Sequence, residues 1–168
     1  DFAGDYLYIA ESNRIGRVAF DSASGKLAGA YEPLVEGFTD EGNHWSKTLR
    51  VGPDGLLYLA QGSTCNVCVE DDERRATMMR FRPDGTQLEA YSTGTRNHLD
   101  VALNAEDELF TYDNTDDGNG WWTRVTHMVD GGFYGYPFDY KPRRPYTLWA
   151  MADYGGGSPT GAIAYNED

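Results

Sequence analysis

Three segments of this chain repeat one pattern, a turn followed by a strand: Gly4-Asp5-Tyr6-Leu7-Tyr8-Ile9-Ala10, Pro53-Asp54-Gly55-Leu56-Leu57-Tyr58-Leu59-Ala60 and Glu106-Asp107-Glu108-Leu109-Phe110-Thr111-Tyr112. Leu7-Tyr8 recurs 50 residues on as Leu57-Tyr58, and 52 further as Leu109-Phe110. Each is followed by a polar loop and then by an apolar strand with an Arg: Arg17-Val18-Ala19-Phe20, Met78-Met79-Arg80-Phe81 and Arg124-Val125-Thr126-His127-Met128. Pro-Asp-Gly between apolar runs is a hairpin signal, because Pro fixes one φ and Gly takes the positive φ of a tight turn. Each unit therefore reads as a small antiparallel meander. A period near 50 with several short strands per unit is that of a β-propeller blade, and about four to eight blades close a ring. A β-sandwich spaces its turns similarly but has no fixed long period.

The sequence thus predicts an all-β fold built from four-stranded antiparallel propeller blades. They fall at about 4–50, 51–103 and 104–150, with 155–168 opening a further one, all within a single partial domain. The 168 residues make about three to three and a half blades, short of the roughly four that closure needs. An open stack leaves strand edges unpaired, so the expectation is a piece of a longer propeller, completed by its remainder or by a second copy.

Charge narrows the partners. With 27 acidic against 14 basic side chains the formal net charge is −13, and no Lys/Arg-rich block interrupts it, which argues against a nucleic-acid partner. No apolar run approaches the roughly 20 residues of a membrane helix, so no membrane span is expected. The first residues lack the basic and apolar regions of a signal peptide. The 40% hydrophobic content is enough to support a packed core rather than a disordered chain.

Three stretches could carry chemistry. Gly42-Asn43-His44-Trp45-Ser46-Lys47 places one of only three histidines just before a strand. An imidazole titrates near neutrality and can serve as a general base, the plainer reading being a surface or capping residue. Thr64-Cys65-Asn66-Val67-Cys68 holds both cysteines of the chain. Zinc needs about four ligands and no second Cys pair exists, while redox motifs of this spacing open a helix after a strand. A structural Cys65–Cys68 disulfide in an exported protein is the favoured reading, with two reduced thiols as the alternative. Tyr112-Asp113-Asn114-Thr115-Asp116-Asp117-Gly118-Asn119-Gly120 clusters carboxylate and amide oxygens as a hard cation such as Ca²⁺ prefers, or forms an Asx-rich turn.

In combination these pieces resemble the PQQ-dependent glucose/sorbosone dehydrogenases, six-bladed soluble quinoproteins. The likeness rests on the order and spacing of several motifs over about residues 40 to 140. They are His44, Lys47-Thr48-Leu49-Arg50-Val51-Gly52-Pro53-Asp54-Gly55-Leu56-Leu57-Tyr58, Gly62-Ser63-Thr64-Cys65-Asn66-Val67-Cys68, Arg74-Arg75-Ala76, Gly94-Thr95-Arg96-Asn97 and Val129-Asp130-Gly131-Gly132-Phe133-Tyr134-Gly135-Tyr136-Pro137. In the last, Tyr136 stands where the family has Trp. The tail Asp153-Tyr154-Gly155-Gly156-Gly157-Ser158-Pro159-Thr160-Gly161-Ala162 looks like a branch found fused to haem-binding modules, although no Cys-x-x-Cys-His occurs here.

The resemblance implies PQQ and Ca²⁺ as cofactors and oxidation of a sugar or other alcohol or aldehyde by hydride transfer to the quinone. It implies His44 as base, Arg96 over the quinone, Asn97 as a cofactor ligand, and backbone carbonyls of Asn114 and Thr115 on cofactor and metal. Asp113, Asp116 or Asp117 would supplement or replace these carbonyls. It further implies an external electron acceptor or cytochrome and a periplasmic or secreted location. In the family, basic side chains from later blades clamp the cofactor's three carboxylates, so weak PQQ binding is expected of this −13 chain alone. Two other readings remain open: a non-catalytic propeller module binding carbohydrate or protein through Trp45, Trp121, Trp122, Tyr134, Tyr136 and Trp149, and a calcium-dependent lactonase-type propeller.

Overall fold

The middle repeat, Leu57-Tyr58-Leu59-Ala60, is apolar at every position, and a strand of that kind must be covered on both faces. The computed structural model, which describes residues 1–116, 121–140, 142–158 and 160–165, places it at the centre of three consecutive sheets. Among the described residues there are fourteen strands and no helix, hence none long and apolar enough to cross a membrane.

The first sheet holds β1 (Phe2–Ala3), β2 (Tyr6–Ala10), β3 (Arg14–Asp21), β4 (Lys26–Leu27) and β5 (Glu32–Glu36), with β4 and β5 both on β3. The second runs β6 (Lys47–Val51), β7 (Leu57–Gln61), β8 (Thr77–Phe81), β9 (Glu89–Thr93), and β13 (Gly132–Phe133) adds in parallel to β9. The third runs β10 (Ala102–Leu103), β11 (Leu109–Asp116), β12 (Trp121–Met128), β14 (Ala152–Asp153). Apart from β13, every strand pairing is antiparallel, and most join neighbours in the chain, the meander of propeller blades; β5 on β3 and β14 on β12 each skip one strand.

Alternation along β7 distributes the core. Leu57 and Leu59, with Met79 and Phe81 opposite, pack toward the first sheet against Tyr8, Ile15 and Phe38. Tyr58, Ala60 and Met78 point the other way, onto Val101, Leu109 and Met128 of the third sheet and Tyr134. The turns behave as their residues dictate: the Gly55 N–H donates to Gly52 O and that of Gly85 to Arg82 O, with positive φ at both glycines. The third unit uses Asp107 at φ 65 in the same role.

Two expectations need correction. Register places Tyr8 opposite Arg17 and Tyr58 opposite Arg80, but Phe110 opposite His127, whose rings stack at 5.0 Å. Arg124 is therefore not the third copy of the repeated Arg; it lies opposite Asp113. The described residues 160–165 form no strand, because no described neighbour offers a ladder there, and the Ala162 N–H bonds the Asp100 carboxylate instead.

His98 is enclosed between these layers, 1% exposed. Burial pushes its imidazole down to about 4, below the ordinary 6.5. The unfolded chain thus takes up this proton first on acidification. The stability that neutral His98 contributes is complete above about pH 6.5 and is lost as the pH falls toward 4, by roughly 3 kcal/mol. Urea unfolding at pH 7 and 4.5 should show that loss, and His98→Asn should flatten it. An unchanged slope in the variant would contradict the assignment.

Candidate functional site

Backbone strain marks the site. His44 holds φ +48, a left-handed conformation rare for a side chain of its size and costing on the order of 1–3 kcal/mol. Three contacts enforce it. The buried Arg75 guanidinium gathers the carbonyls of Thr39, Asn43 and Ser63 around the loop. Gly42, at φ +77, brings the loop onto Thr64, where the Asn43 N–H donates to Thr64 O. Gly62 has no side chain to offer: a Cβ there would lie 2.6 Å from the His44 Cβ and 3.0 Å from the Arg96 carbonyl.

The hydrogen bonds of Ser63 select the His44 tautomer. The Ser63 hydroxyl has one proton and donates it to Cys65 O at 2.7 Å. It can therefore only accept from His44 Nδ1, 3.0 Å away, which must carry the ring proton. Nε2 is left as a bare acceptor. Burial first, and then the positive charge of Arg96, push the imidazole down to about 4, so the ring is neutral at pH 7.

Arg96 is 1% exposed and gripped by two asparagines. Its Nε donates to Asn66 O (3.1 Å) and Nη2 to Asn66 Oδ1 (2.7 Å). Its Nη1 donates to Asn114 O (3.0 Å) and Oδ1 (2.7 Å). Asn114 Nδ2 in turn donates to Gly157 O at 2.6 Å, fastening the tail to the site. Beneath lies Asp113, fully buried, accepting the backbone N–H groups of Arg96 (3.1 Å) and Asn97 (2.8 Å) and pairing with Arg124 Nη2 (3.0 Å).

Together His44, Arg96, Asn97 and Asn114 line one open cleft of about 530 Å³, with Asn66, Gly157 and Ser158 completing the wall. Four residues predicted from separate stretches thus meet. Of those predicted as metal ligands, Asn114 is the one among the described residues that lines the cleft. Asp113 is enclosed below the cleft with both carboxylate oxygens bonded, and the Asn114 carbonyl accepts Arg96. Thr115 sits in the β11–β12 ladder opposite Trp122, its hydroxyl donating to Trp122 O. The expected Asx-rich loop is a hairpin at least to Asp116, since the Trp121–Thr123 run supplies a partner strand. Asp116 is placed only as backbone of that strand, and Asp117 lies outside the described residues. Among the described residues no group of three or more His, Cys, Asp or Glu could hold a metal ion. The calcium reading rests on backbone carbonyls and on Asp116 and Asp117, whose side chains lie outside the described residues.

The cleft also offers a free acceptor: Asn97 Oδ1 is buried there with no hydrogen-bond partner and suits an N–H or O–H of a ligand. Three guanidiniums are buried around the site, Arg96 in the cleft wall, Arg75 on the His44 loop and Ser63, and Arg124 on Asp113, a local concentration of positive charge that favours an anionic ligand in a chain of net charge −13. The cysteines form the expected disulfide, Cys65–Cys68, at the cleft edge. Of the aromatics considered as a binding platform, Tyr134 and Tyr136 are buried, whereas Trp45, Trp122 and Trp149 are exposed and line no part of the cleft. Trp121 is placed only as strand backbone. Sequence reasoning missed the roles of Ser63, Asn66, Gly157 and Ser158; only the position of Asn66 inside Cys65-Asn66-Val67-Cys68 could have drawn attention to it.

Comparison with known proteins bears on the fold. The family model described as Domain of unknown function (DUF7133) matches residues 9–135, more than half of the chain. The chain belongs to this family. No curated protein matches it. Among solved structures it is similar to the PQQ-bound form of an aldose sugar dehydrogenase from Streptomyces coelicolor. The TM-score is 0.73 at 24% identity, covering 94% of this chain and 52% of that one. It is also similar to the holo form of the pyranose dehydrogenase PQQ domain from Coprinopsis cinerea, with TM-score 0.69, 19% identity and 80% and 41% covered. A third is a Trichoderma reesei carbohydrate-active enzyme of family AA12, with TM-score 0.66, 16% identity and 94% and 48% covered. The chain spans about half the length of these structures. The likeness to the PQQ dehydrogenases that the motifs implied holds at the level of the propeller fold.

The buried Asp113–Arg124 pair should be the most costly polar contact to break. Asp113→Ala leaves Arg124 and two backbone N–H groups without their acceptor, and should destabilise by about 3–5 kcal/mol in urea unfolding. A loss under about 1 kcal/mol, the scale of an exposed pair, would contradict the anchoring role.

Proposed function

We propose that this family member forms half of a PQQ-dependent dehydrogenase site that oxidises a sugar or related alcohol, the remainder coming from further blades or a second copy. The observation that carries the reading is the meeting of His44, Arg96 and Asn97 in one cleft, with a neutral imidazole whose acceptor nitrogen is left bare by Ser63. PQQ, when bound, supplies an electrophilic ortho-quinone to which a hydride can pass.

The residues of this chain would do the rest. His44 Nε2 takes the proton from the substrate hydroxyl, leaving Nδ1–H on Ser63 throughout, so the ring becomes an imidazolium without turning. Arg96 presents a guanidinium held in one orientation by Asn66 and Asn114, stabilising negative charge that develops on nearby oxygens without reorganisation. Asn97 Oδ1, buried without a partner, would accept a hydrogen bond from the cofactor or substrate. The two electrons leave to an external acceptor or cytochrome, and the Cys65–Cys68 disulfide suits a periplasmic or secreted protein.

Dye-coupled sugar oxidation by the complete protein with PQQ tests the reading. His44→Ala should lower kcat/KM by at least about 10²-fold, the scale of a general base. The acid limb of kcat/KM should fall near pH 4 rather than 6.5, because the free imidazole stays neutral down to about 4. An unimpaired His44→Ala enzyme would sink the proposal and favour a binding module.

A further inference from the structure

The disulfide is placed where both reactive groups of the cleft depend on it. Cys65, Asn66, Val67 and Cys68 form a four-residue ring closed by the Sγ–Sγ bond. The Cys65 carbonyl on that ring accepts the Ser63 hydroxyl, and through it sets the proton on His44. The next residue, Asn66, accepts Arg96 through both its carbonyl and its side chain, although Asn66 itself is exposed. One hydroxyl pins the ring from behind. Tyr136 Oη accepts the Cys68 N–H at 3.2 Å and contacts the Cys65 carbonyl at 3.2 Å and Glu70 Oε1 at 3.0 Å. Glu70 in turn accepts the Thr64 N–H and hydroxyl. A four-residue exposed loop without the bond would sample many conformations, and neither the Cys65 carbonyl nor Asn66 would stay in register.

We propose that the Cys65–Cys68 ring is a redox-sensitive clamp whose closed form positions His44 through Ser63 and Arg96 through Asn66, so that reduction by a dithiol disarms the cleft. The exchange is balanced. A thiolate of the reductant attacks one Sγ and the Sγ–Sγ bond breaks. The second thiol of the reductant then closes its own disulfide, leaving two cysteine thiols on the protein. Two electrons and two protons pass to the protein. Val67 and Asn66 on the ring are exposed, so a small dithiol can reach it. Ser63 and Asn66 are positioning residues, acting only through the groups they hold.

The clamp rests on the functional reading of the cleft, but its test uses the chain without cofactor, so failure of PQQ binding and failure of the clamp are separable. Nitrogen-15 NMR of the oxidised chain at pH 7 should show His44 as the Nδ1–H tautomer and a slowly exchanging Arg96 Nε–H. Dithiothreitol, with two thiols per chain confirmed by titration, should turn His44 into a tautomer mixture and speed Arg96 Nε–H exchange about tenfold or more. Reoxidation should restore both. Ser63→Ala should change the His44 signals alone, and Asn66→Ala, which removes the Oδ1 acceptor of Nη2 but keeps the backbone carbonyl on Nε, should speed exchange of the Arg96 Nη2 protons alone. If reduction unfolds the chain, these two disulfide-intact variants decide the matter. Unchanged His44 and Arg96 signals in the reduced, folded chain, or in both variants, would overturn the proposal.

Discussion

The site depends first on one buried carboxylate. Asp113 leaves β11 at the boundary between the second and third sheets and accepts two consecutive N–H groups of the loop that connects them, while Arg124 from the neighbouring strand balances its charge. A loop held by its backbone in this way has a fixed path, and the side chains of Arg96 and Asn97 follow from it. The low dielectric that makes an uncompensated charge so costly here also makes the compensated arrangement rigid. The same carboxylate, read from the sequence as a calcium ligand, is instead the foundation on which the cleft stands.

Around that anchor the chain uses arginines as internal braces. Arg75 ties the His44 loop to Ser63, Arg96 ties the disulfide ring to β11, and Arg124 ties β12 to Asp113. Each is nearly or fully buried, and guanidinium geometry lets one side chain satisfy several carbonyls at once. The positive charge concentrated there contrasts with the acidic surface. A trianionic cofactor would meet attraction inside the cleft and repulsion elsewhere, which confines it to one place.

Much of the fold was legible because its signals are periodic. Leu7-Tyr8, Leu57-Tyr58 and Leu109-Phe110 each became the second or third strand of a sheet, and the Pro-Asp-Gly turns closed as their φ preferences require. The site was legible only through the order of motifs, since nothing in the spacing of His44, Arg96 and Asn114 says that they touch. Ser63 and Asn66 escaped notice because they act by accepting hydrogen bonds from residues 19 and 30 positions away, respectively. The Asx-rich segment was read as a loop, whereas Tyr112, Thr115 and Trp122 favour a hairpin, and cross-strand pairing sets its backbone as far as Asp116.

The central claim is that this cleft is a quinone site oriented by Arg96. Titrating the complete protein with PQQ and following the quinone absorbance tests it most directly. The account predicts saturable binding, one cofactor per cleft, abolished by Arg96→Ala and retained by substitution of the exposed Trp149. Absence of binding, or binding indifferent to Arg96→Ala, would contradict it.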